Sequence, residues 1–299
     1  MVVSIPAGKA LVQTVDILGP IVNDPFAFGR IAAANALSDV YAMGGVPWSA
    51  MSVACFPEEL VENSPRTLVD ILRGALDAMT EAGCVSAGGH TVRDDDLKFG
   101  LAVSGLIDPS HIAQNSGLRP GQRLILTKPL GTGVLATGLK ASWEDSDRAE
   151  ELIIRWGGRL NRVAGAAIAK FRIEGATDIT GFGLGGHALE LAAASGVCLR
   201  VRGADVPVMD MALEYASCGL VPAGSINNRT FAACRTRWER DRDDDLENIL
   251  FDTQTSGGIL MGVEPAIVSA VKAYLTAGGD LACDIGEVVE PGDSPLVIV

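Results

Sequence analysis

The chain is poor in aromatic residues (5%) and in positive charge: 24 Lys and Arg stand against 37 Asp and Glu, a formal net charge of −13. That balance excludes nucleic acid and anionic membrane surfaces as partners, because both are held by an excess of basic side chains. The 6 cysteines (Cys55, Cys84, Cys198, Cys218, Cys234 and Cys283) form no CxxC pair. Scattered in this way they exclude a zinc or disulfide framework and point to a reducing compartment. No apolar run is long enough to span a membrane, and the first residues lack the basic segment and long apolar stretch of a secretory signal. The expected location is the cytoplasm. Apolar residues fill 48% of the 299 positions, which describes a globular chain of one large or two ordinary domains with an ample core. Glycine is abundant, with 35 residues, as tight turns and close approach of backbone to ligand require.

The most informative stretch runs from Gln13 to Gly45, QTVDILGPIVNDPFAFGRIAAANALSDVYAMGG. It sets a carboxylate, Asp16, at the end of an apolar strand, and then Asn35 and Asp39 on a helix. Asn23-Asp24-Pro25 reads as the helix start, a capping acid followed by proline at the first helical position. From Ile31 to Gly44 only Asn35, Ser38 and Asp39 interrupt a run of apolar residues. A helix apolar on nearly every side is buried, and the i, i+4 spacing brings Asn35 and Asp39 to one face. A buried carboxylate without a partner is strongly unfavourable. Two arrangements meet that need. In one, Asp39 pairs with Arg30 or a distant arginine and Asn35 bonds neighbouring backbone. In the other, the oxygens hold a hard cation such as Mg²⁺ that carries phosphates.

With CVSAGGHT (84–91), LTKPLGTGV (126–134), TDITGFGLGGH (177–187) and DTQTSGG (252–258), this stretch resembles selenophosphate synthetases (selenide, water dikinases). These belong to the superfamily that includes aminoimidazole ribonucleotide synthetase. The likeness covers essentially all 299 residues. QTSGG and NALSD are shared across the superfamily and speak for the fold, whereas DPFAFGRIAAANALSDVYAMGG, GGHT and TDITGFG are particular to the selenophosphate branch. The resemblance implies an α/β chain, an α+β sandwich of two synthetase-like domains, the first closing a β-barrel with its copy in a homodimer. It implies the conversion of ATP, selenide and water to selenophosphate, AMP and orthophosphate. Mg²⁺ would be held by Asp16, Asp39 and Asp178, and ATP contacted by Asp16, Asn35, Asp39, Gly89, His90 and Thr91, the last three from the neighbouring subunit. The family also has an N-terminal glycine-rich arm with a catalytic Cys or selenocysteine and an essential Lys, followed by a strand with an Asp-Asp-Ala metal site. The chain opens MVVSIPAGKALVQTVD; Lys9 does not match that lysine, and no cysteine takes the catalytic position. No nucleophile or base is assigned, and the chain alone is expected to be catalytically crippled.

A boundary near GLRPGQ divides residues 1–118, the nucleotide-, metal- and dimer-forming domain, from an α+β domain at 119–299. Strands are expected at 10–15, 48–55, 84–90 and 98–107 and helices at 24–43 and 64–82. VRDDDL (92–97) reads as a solvated loop. The second domain is expected to hold strands at 123–127, 197–201, 258–263, 284–289 and 296–299. Its helices are expected at 133–142, 145–169 (broken at Gly157-Gly158), 184–195 and 266–277. Residues 207–228 read as loop and the charged run 235–245 as exposed surface.

Gly181, Gly183 and Gly186 satisfy G-x-G-x-x-G, the mark of dinucleotide binding when it follows a strand in a βαβ unit. The preceding strand is short and polar, and Asp178 would repel a pyrophosphate unless a cation intervened, so Asp178 as a metal ligand is the preferred reading. A glycine-rich helix start collects anions in either case. His111 is expected to be exposed, Cys55 to be core and Lys128 to flank a strand-to-helix turn. Two rival functions remain beside the synthetase: another ATP-using enzyme of the superfamily, or an armless nucleotide-sensing or partner-binding paralogue.

Overall fold

The computed structural model describes residues 4–64, 66–239 and 241–299. In chain order the first domain comprises β1 (Ala10–Leu18), α1 (Pro25–Ala42), β2 (Val46–Phe56), α2 (Glu58–Asn63), α3 (Thr67–Ala82), β3 (Val85–Arg93) and β4 (Lys98–Ile107). Its four strands lie in the order β1-β4-β2-β3, antiparallel except for the β2–β3 pair. Alternation in β1 shows how one face is buried: Val12, Thr14 and Asp16 point inward, whereas Leu11, Gln13, Val15 and Ile17 are exposed. The inner face is covered by α1 and α3.

These two helices meet through glycine. A Cβ on Gly29 would stand 1.9 Å from the Ile71 carbonyl oxygen, and one on Gly74 1.8 Å from that of Phe26. The two backbones therefore touch with no side chain between them. Asp24 starts α1, its carboxylate accepting the Ala27 N–H at 2.6 Å. The helix is buried along almost its whole length because it packs on α3 and the sheet and also on the second domain.

The second domain holds β5 (Arg123–Leu126), α4 (Thr132–Lys140), α5 (Ser146–Gly157), α6 (Arg162–Phe171), β6 (Ala176–Asp178), α7 (Gly183–Ser195) and β7 (Cys198–Val201). Then follow α8 (Ala212–Ser217), α9 (Ala223–Ala232), β8 (Thr236–Trp238), α10 (Asp244–Leu250), β9 (Ile259–Val263), α11 (Val268–Ala277), β10 (Cys283–Val289) and β11 (Leu296–Ile298). The sheet runs β6-β9-β5-β10-β7-β11-β8. Every residue of β6 and β9 is buried, so both faces there are covered, and β9 (ILMGV) reads as a continuous apolar run rather than an alternating one.

Several expectations change. The helix expected at 64–82 starts at Thr67, after the separate α2. The one expected at 145–169 is two helices, α5 and α6, and residues 207–228 contain α8 and the start of α9. Part of the charged run pairs as the edge strand β8 with β11. Pro65 and Arg240 lie outside the described residues. Cys55 is half-buried rather than core, on the side of β2 opposite Ala54. His111 is also half-buried, its Nε2 3.2 Å from the Ile168 carbonyl oxygen. Among the described residues no helix is long and apolar enough to cross a membrane.

Candidate functional site

Packing of α1 against the inner face of β1 sets the polar residues of one against those of the other. Thr14 donates its hydroxyl to Asp39 Oδ2, and Asn35 Nδ2 donates to Asp16 Oδ2 at 3.0 Å. The second domain completes the cluster from below: Asp178 ends β6, which packs against α1. Thr14, Asp39 and Asp178 line a single cleft of about 430 Å³, with Gln13, Gln114 and Asn115 at its rim. Asp16 sits beside it, behind Asn35. Under the cleft floor Asn161 Nδ2 donates to Ser38 Oγ and to the Gly257 carbonyl, both at 2.8 Å, and Ser38 in turn hydrogen-bonds Asp178.

The ion-pair arrangement is not the one observed. Arg30 pairs with Asp77 and Glu81 of α3, and among the described residues Asp16, Asp39 and Asp178 form no ion pair. Burial, then the charges of Asp39 and Asp178, push Asp16 up to about 6. Burial and the charge of Asp39 push Asp178 up as well, to about 6, against the opposing effect of Ser38 and His187. Asp178 is only 6% exposed, and its Oδ2 is buried with no hydrogen-bond partner.

An orphaned buried carboxylate oxygen among like charges fits a cation. Among the described residues no group of three His, Cys, Asp or Glu stands as a ready-made metal cage. That also suits Mg²⁺, which takes one or two carboxylates and fills its remaining positions with phosphate and water oxygens.

The raised values have a consequence for stability. Asp16 and Asp178 bind protons more tightly folded than unfolded, so their contribution is full below the ordinary value of 3.8 and is lost as pH rises through about 6. In metal-free buffer the melting temperature is expected to rise between pH 7 and pH 5, and to rise less in Asp16→Asn. An equal rise in that variant would assign the effect to other carboxyls.

Gly89, His90 and Thr91 lie elsewhere. They sit on β3, the edge strand farthest from β1, and the two positions are about 14 Å apart at ordinary strand spacing. A bulge between β2 and β3 places Gly88 at φ +101. A Cβ on Gly89 would be 2.3 Å from the Ser52 carbonyl oxygen. Beside them is a separate cleft of about 370 Å³ with an apolar wall from Leu72, Leu76 and Met79 and a polar rim from Ser52, His90 and Thr91. Within one chain the acids and the GGHT segment do not meet.

The glycines of TDITGFGLGGH serve packing. β6 is antiparallel to β9, not the first strand of a parallel βαβ pair. A Cβ on Gly183 (φ +70) would lie 2.8 Å from the Asp252 carbonyl oxygen, and one on Gly185 2.2 Å from the Phe251 ring. His187 has partners on both sides, Thr180 Oγ1 at 3.2 Å and Glu190 at 3.0 Å. DTQTSGG and LTKPLGTGV form one unit: Asp252 accepts the Gly133 and Val134 N–H groups at the start of α4, and Gln254 Oε1 those of Gly131 and Thr132. Lys128, 1% exposed, faces backbone carbonyls rather than a cleft. Burial draws its ammonium down to about 7, Asp280 opposing and Arg159 reinforcing that fall.

Sequence reasoning passed over Thr14, Ser38 and Asn161. Thr14 was detectable, since it lies two residues before Asp16 and must share its face. Asn161 had no local signal; only the break between α5 and α6 turns it toward Ser38.

Comparison with known proteins follows the same division. The AIR synthase related protein N-terminal domain family matches residues 1–107, and its C-terminal domain family residues 119–298. A selenide, water dikinase of Nitratidesulfovibrio vulgaris (strain DSM 19637 / Miyazaki F) is 53% identical over 290 residues, 97% of this chain and 82% of that protein. One of Pelobacter propionicus is 47% identical over 97% of this chain and 82% of its own length. Among solved structures, thiamine-monophosphate kinase from Stenotrophomonas maltophilia K279a superposes with a TM-score of 0.75 at 19% identity, over 98% of this chain and 86% of its own. The hydrogenase maturation protein HypE of E. coli gives 0.70 at 19%, over 95% and 81%. At that identity the two structures speak for the fold alone.

Proposed function

Since the chain belongs to the selenide, water dikinases of the AIR synthase related family, we propose that the Asp16, Asp39 and Asp178 cleft is where it holds ATP for phosphoryl transfer to selenide. The chain is an ATP-dependent phosphotransferase with the two-domain fold of that family. The observation carrying the assignment to this cleft is that Asp39 and Asp178 line it and Asp16 lies within reach of their charges, with no cationic side chain in its lining among the described residues. The three carboxylates are drawn from β1, α1 and β6, and one oxygen among them is buried and unpartnered.

Asp16, Asp39 and Asp178 would hold Mg²⁺ ions, each ion taking one or two of these carboxylates and completing its shell with phosphate and water oxygens. When bound, such an ion would neutralise the charge of the phosphoryl oxygens. Everything else falls to the chain's own groups. Thr14 fixes the Asp39 carboxylate, Asn35 fixes Asp16, and Ser38, itself held by Asn161, fixes one oxygen of Asp178 so that the other stays free. This preorganisation matters because phosphoryl transfer depends on positioning and charge stabilisation more than on covalent chemistry by the protein. The chain's six thiols include none nominated as nucleophile, and the selenium-handling step is not assigned to these residues.

The assignment of Gly89, His90 and Thr91 to the nucleotide requires a second copy of the chain. The outer face of the first sheet leaves Val15 (59%), Met51 (52%) and Val85 (54%) exposed, and β1 and β3 are open edges. Contiguous apolar surface of this kind marks an interface, and a homodimer would bring the GGHT segment of one subunit toward the acids of the other. Sedimentation at micromolar concentration should give a dimer, split by Val15→Lys; a monomer in the unmutated protein would remove this reading. Taking residues 1–118 and 119–299 as the two functional domains, and the cytoplasm as their location, belongs to the same proposal.

The test of the function is AMP formation from ATP with and without selenide, by protein expressed from its complete coding sequence. Selenide-stimulated AMP is expected, and selenide-independent ADP as the sole product would overturn the assignment.

A further inference from the structure

Lys128 is a buried lysine that the reaction does not use. Among the described residues no carboxylate pairs with it. Its three protons meet acceptors of the second domain instead: the Arg159 carbonyl at 2.6 Å, the Ser256 carbonyl at 2.8 Å and Ser256 Oγ at 3.4 Å. Three acceptors for three N–H groups is the full complement of an ammonium.

Ser256 is the unusual partner. It is 2% exposed and has φ +52, a left-handed conformation that a side chain disfavours. Nothing in QTSGG asks for that conformation locally, since Gly257 and Gly258 follow it. What it achieves is to turn the Ser256 N–H across the domain boundary, where it donates to Asn35 Oδ1 at 2.7 Å. An Asn amide that accepts through its oxygen must present its nitrogen to the other side. Asn35 Nδ2 then donates to Asp16 Oδ2 at 3.0 Å. Were Asn35 to lose the Ser256 N–H, it could turn over and set its oxygen against the carboxylate.

We infer that Lys128 is a positioning residue for the acid cluster: by gripping the Ser256 carbonyl it holds the Ser256 N–H on Asn35, which fixes the Asp16 carboxylate beside Asp39 and Asp178. The inference rests on the reading of that cleft as the Mg–ATP site. It assigns a role to TKPLGTG and to QTSGG, which otherwise only shape a turn and the boundary between domains. A Cβ on Gly258 would lie 2.4 Å from the Lys128 N, so the close approach of the two motifs is built into the glycine as well.

The experiment compares Lys128→Met, similar in length but without donors, with the unmutated chain. The readouts are calorimetric Mg²⁺ binding in the presence of a non-hydrolysable ATP analogue and hydrogen exchange of residues 254–258. Lys128→Met is expected to weaken binding about tenfold, as loss of an outer support to a metal ligand does, and to expose the Ser256 amide to exchange. Val271→Ala, a core truncation in α11, should lower the melting temperature without changing binding, which separates positioning from general stability. The inference is overturned if Lys128→Met melts earlier yet binds normally with the Ser256 amide still protected. Failure of the unmutated chain to bind Mg–ATP would strike the site reading, and exchange at Ser256 would then decide the clamp alone. Should Lys128→Met not fold, Lys128→Gln, which keeps one donor group, is read by the same two measurements.

Discussion

Asp178→Asn is expected to lower the affinity for Mg–ATP by at least tenfold, about 1.4 kcal/mol or more, and AMP formation on the order of a hundredfold. The same variant should melt at a higher temperature than the unmutated chain in the absence of metal at pH 7. Both signs come from one cause. Burial and the charge of Asp39 push the Asp178 carboxyl up, so ionising it in the metal-free protein is unfavourable, and an amide of the same shape removes that burden. The free oxygen that makes the site receptive to a cation is therefore what weakens the fold, the trade-off expected where a group is kept for function. Calorimetric titration and thermal unfolding of a single protein preparation check both halves. Normal Mg–ATP binding together with a changed melting temperature would make Asp178 a structural acid and remove the central assignment.

Gly74→Ala should destabilise the chain by about 3 kcal/mol, at the upper end for overpacking. In an exposed helix the same substitution stabilises by up to about 1 kcal/mol, because alanine is the better helix former. Here the added Cβ would stand 1.8 Å from the Phe26 carbonyl oxygen, and Gly29→Ala makes the reciprocal clash, 1.9 Å from that of Ile71. Backbone cannot rotate away as a side chain does, so α1 and α3 must separate. Since α1 carries Asn35 and Asp39, their separation should also weaken Mg–ATP binding. The two substitutions should be far from additive, because the first separation makes room for the second. Chemical denaturation of both single variants and the pair tests this. A stabilised Gly74→Ala would show that the helices are not in backbone contact.

The parts of the fold legible in the sequence are those with a single dominant pattern. α1 was legible because proline after a capping acid opens it and an apolar run on every side says that it is buried. β4 was legible at both ends, since an apolar ten-residue run is bounded by charge and by Asp-Pro. α8 and α9 were not. They are short, they carry no apolar stripe, and the Pro and Gly around them read as loop. The break between α5 and α6 was suggested by two glycines, but not its purpose, which is to turn Asn161 inward. Of the site, the spacing of Asn35 and Asp39 announced a shared face. The partner of that face could not be read, because Arg30 was an equally good candidate until α3 was seen to claim it.

The covalent order of residues determined by itself the acidic character of the chain, the buried helix and the identity of the acids, for these depend on local periodicity and on which side chains are present. The tertiary structure alone decided that Asp39 and Asp178 line one cleft without an arginine, with Asp16 beside it, and that GGHT does not reach it within one chain. It also decided that Lys128, beside a strand-to-helix turn, is buried against the Arg159 and Ser256 carbonyls. Those outcomes depend on which distant segments are neighbours across the domain boundary, and on how burial in that place sets the charge of a carboxylate or an ammonium. No window of sequence carries that information, because it arises only when the two domains close on α1.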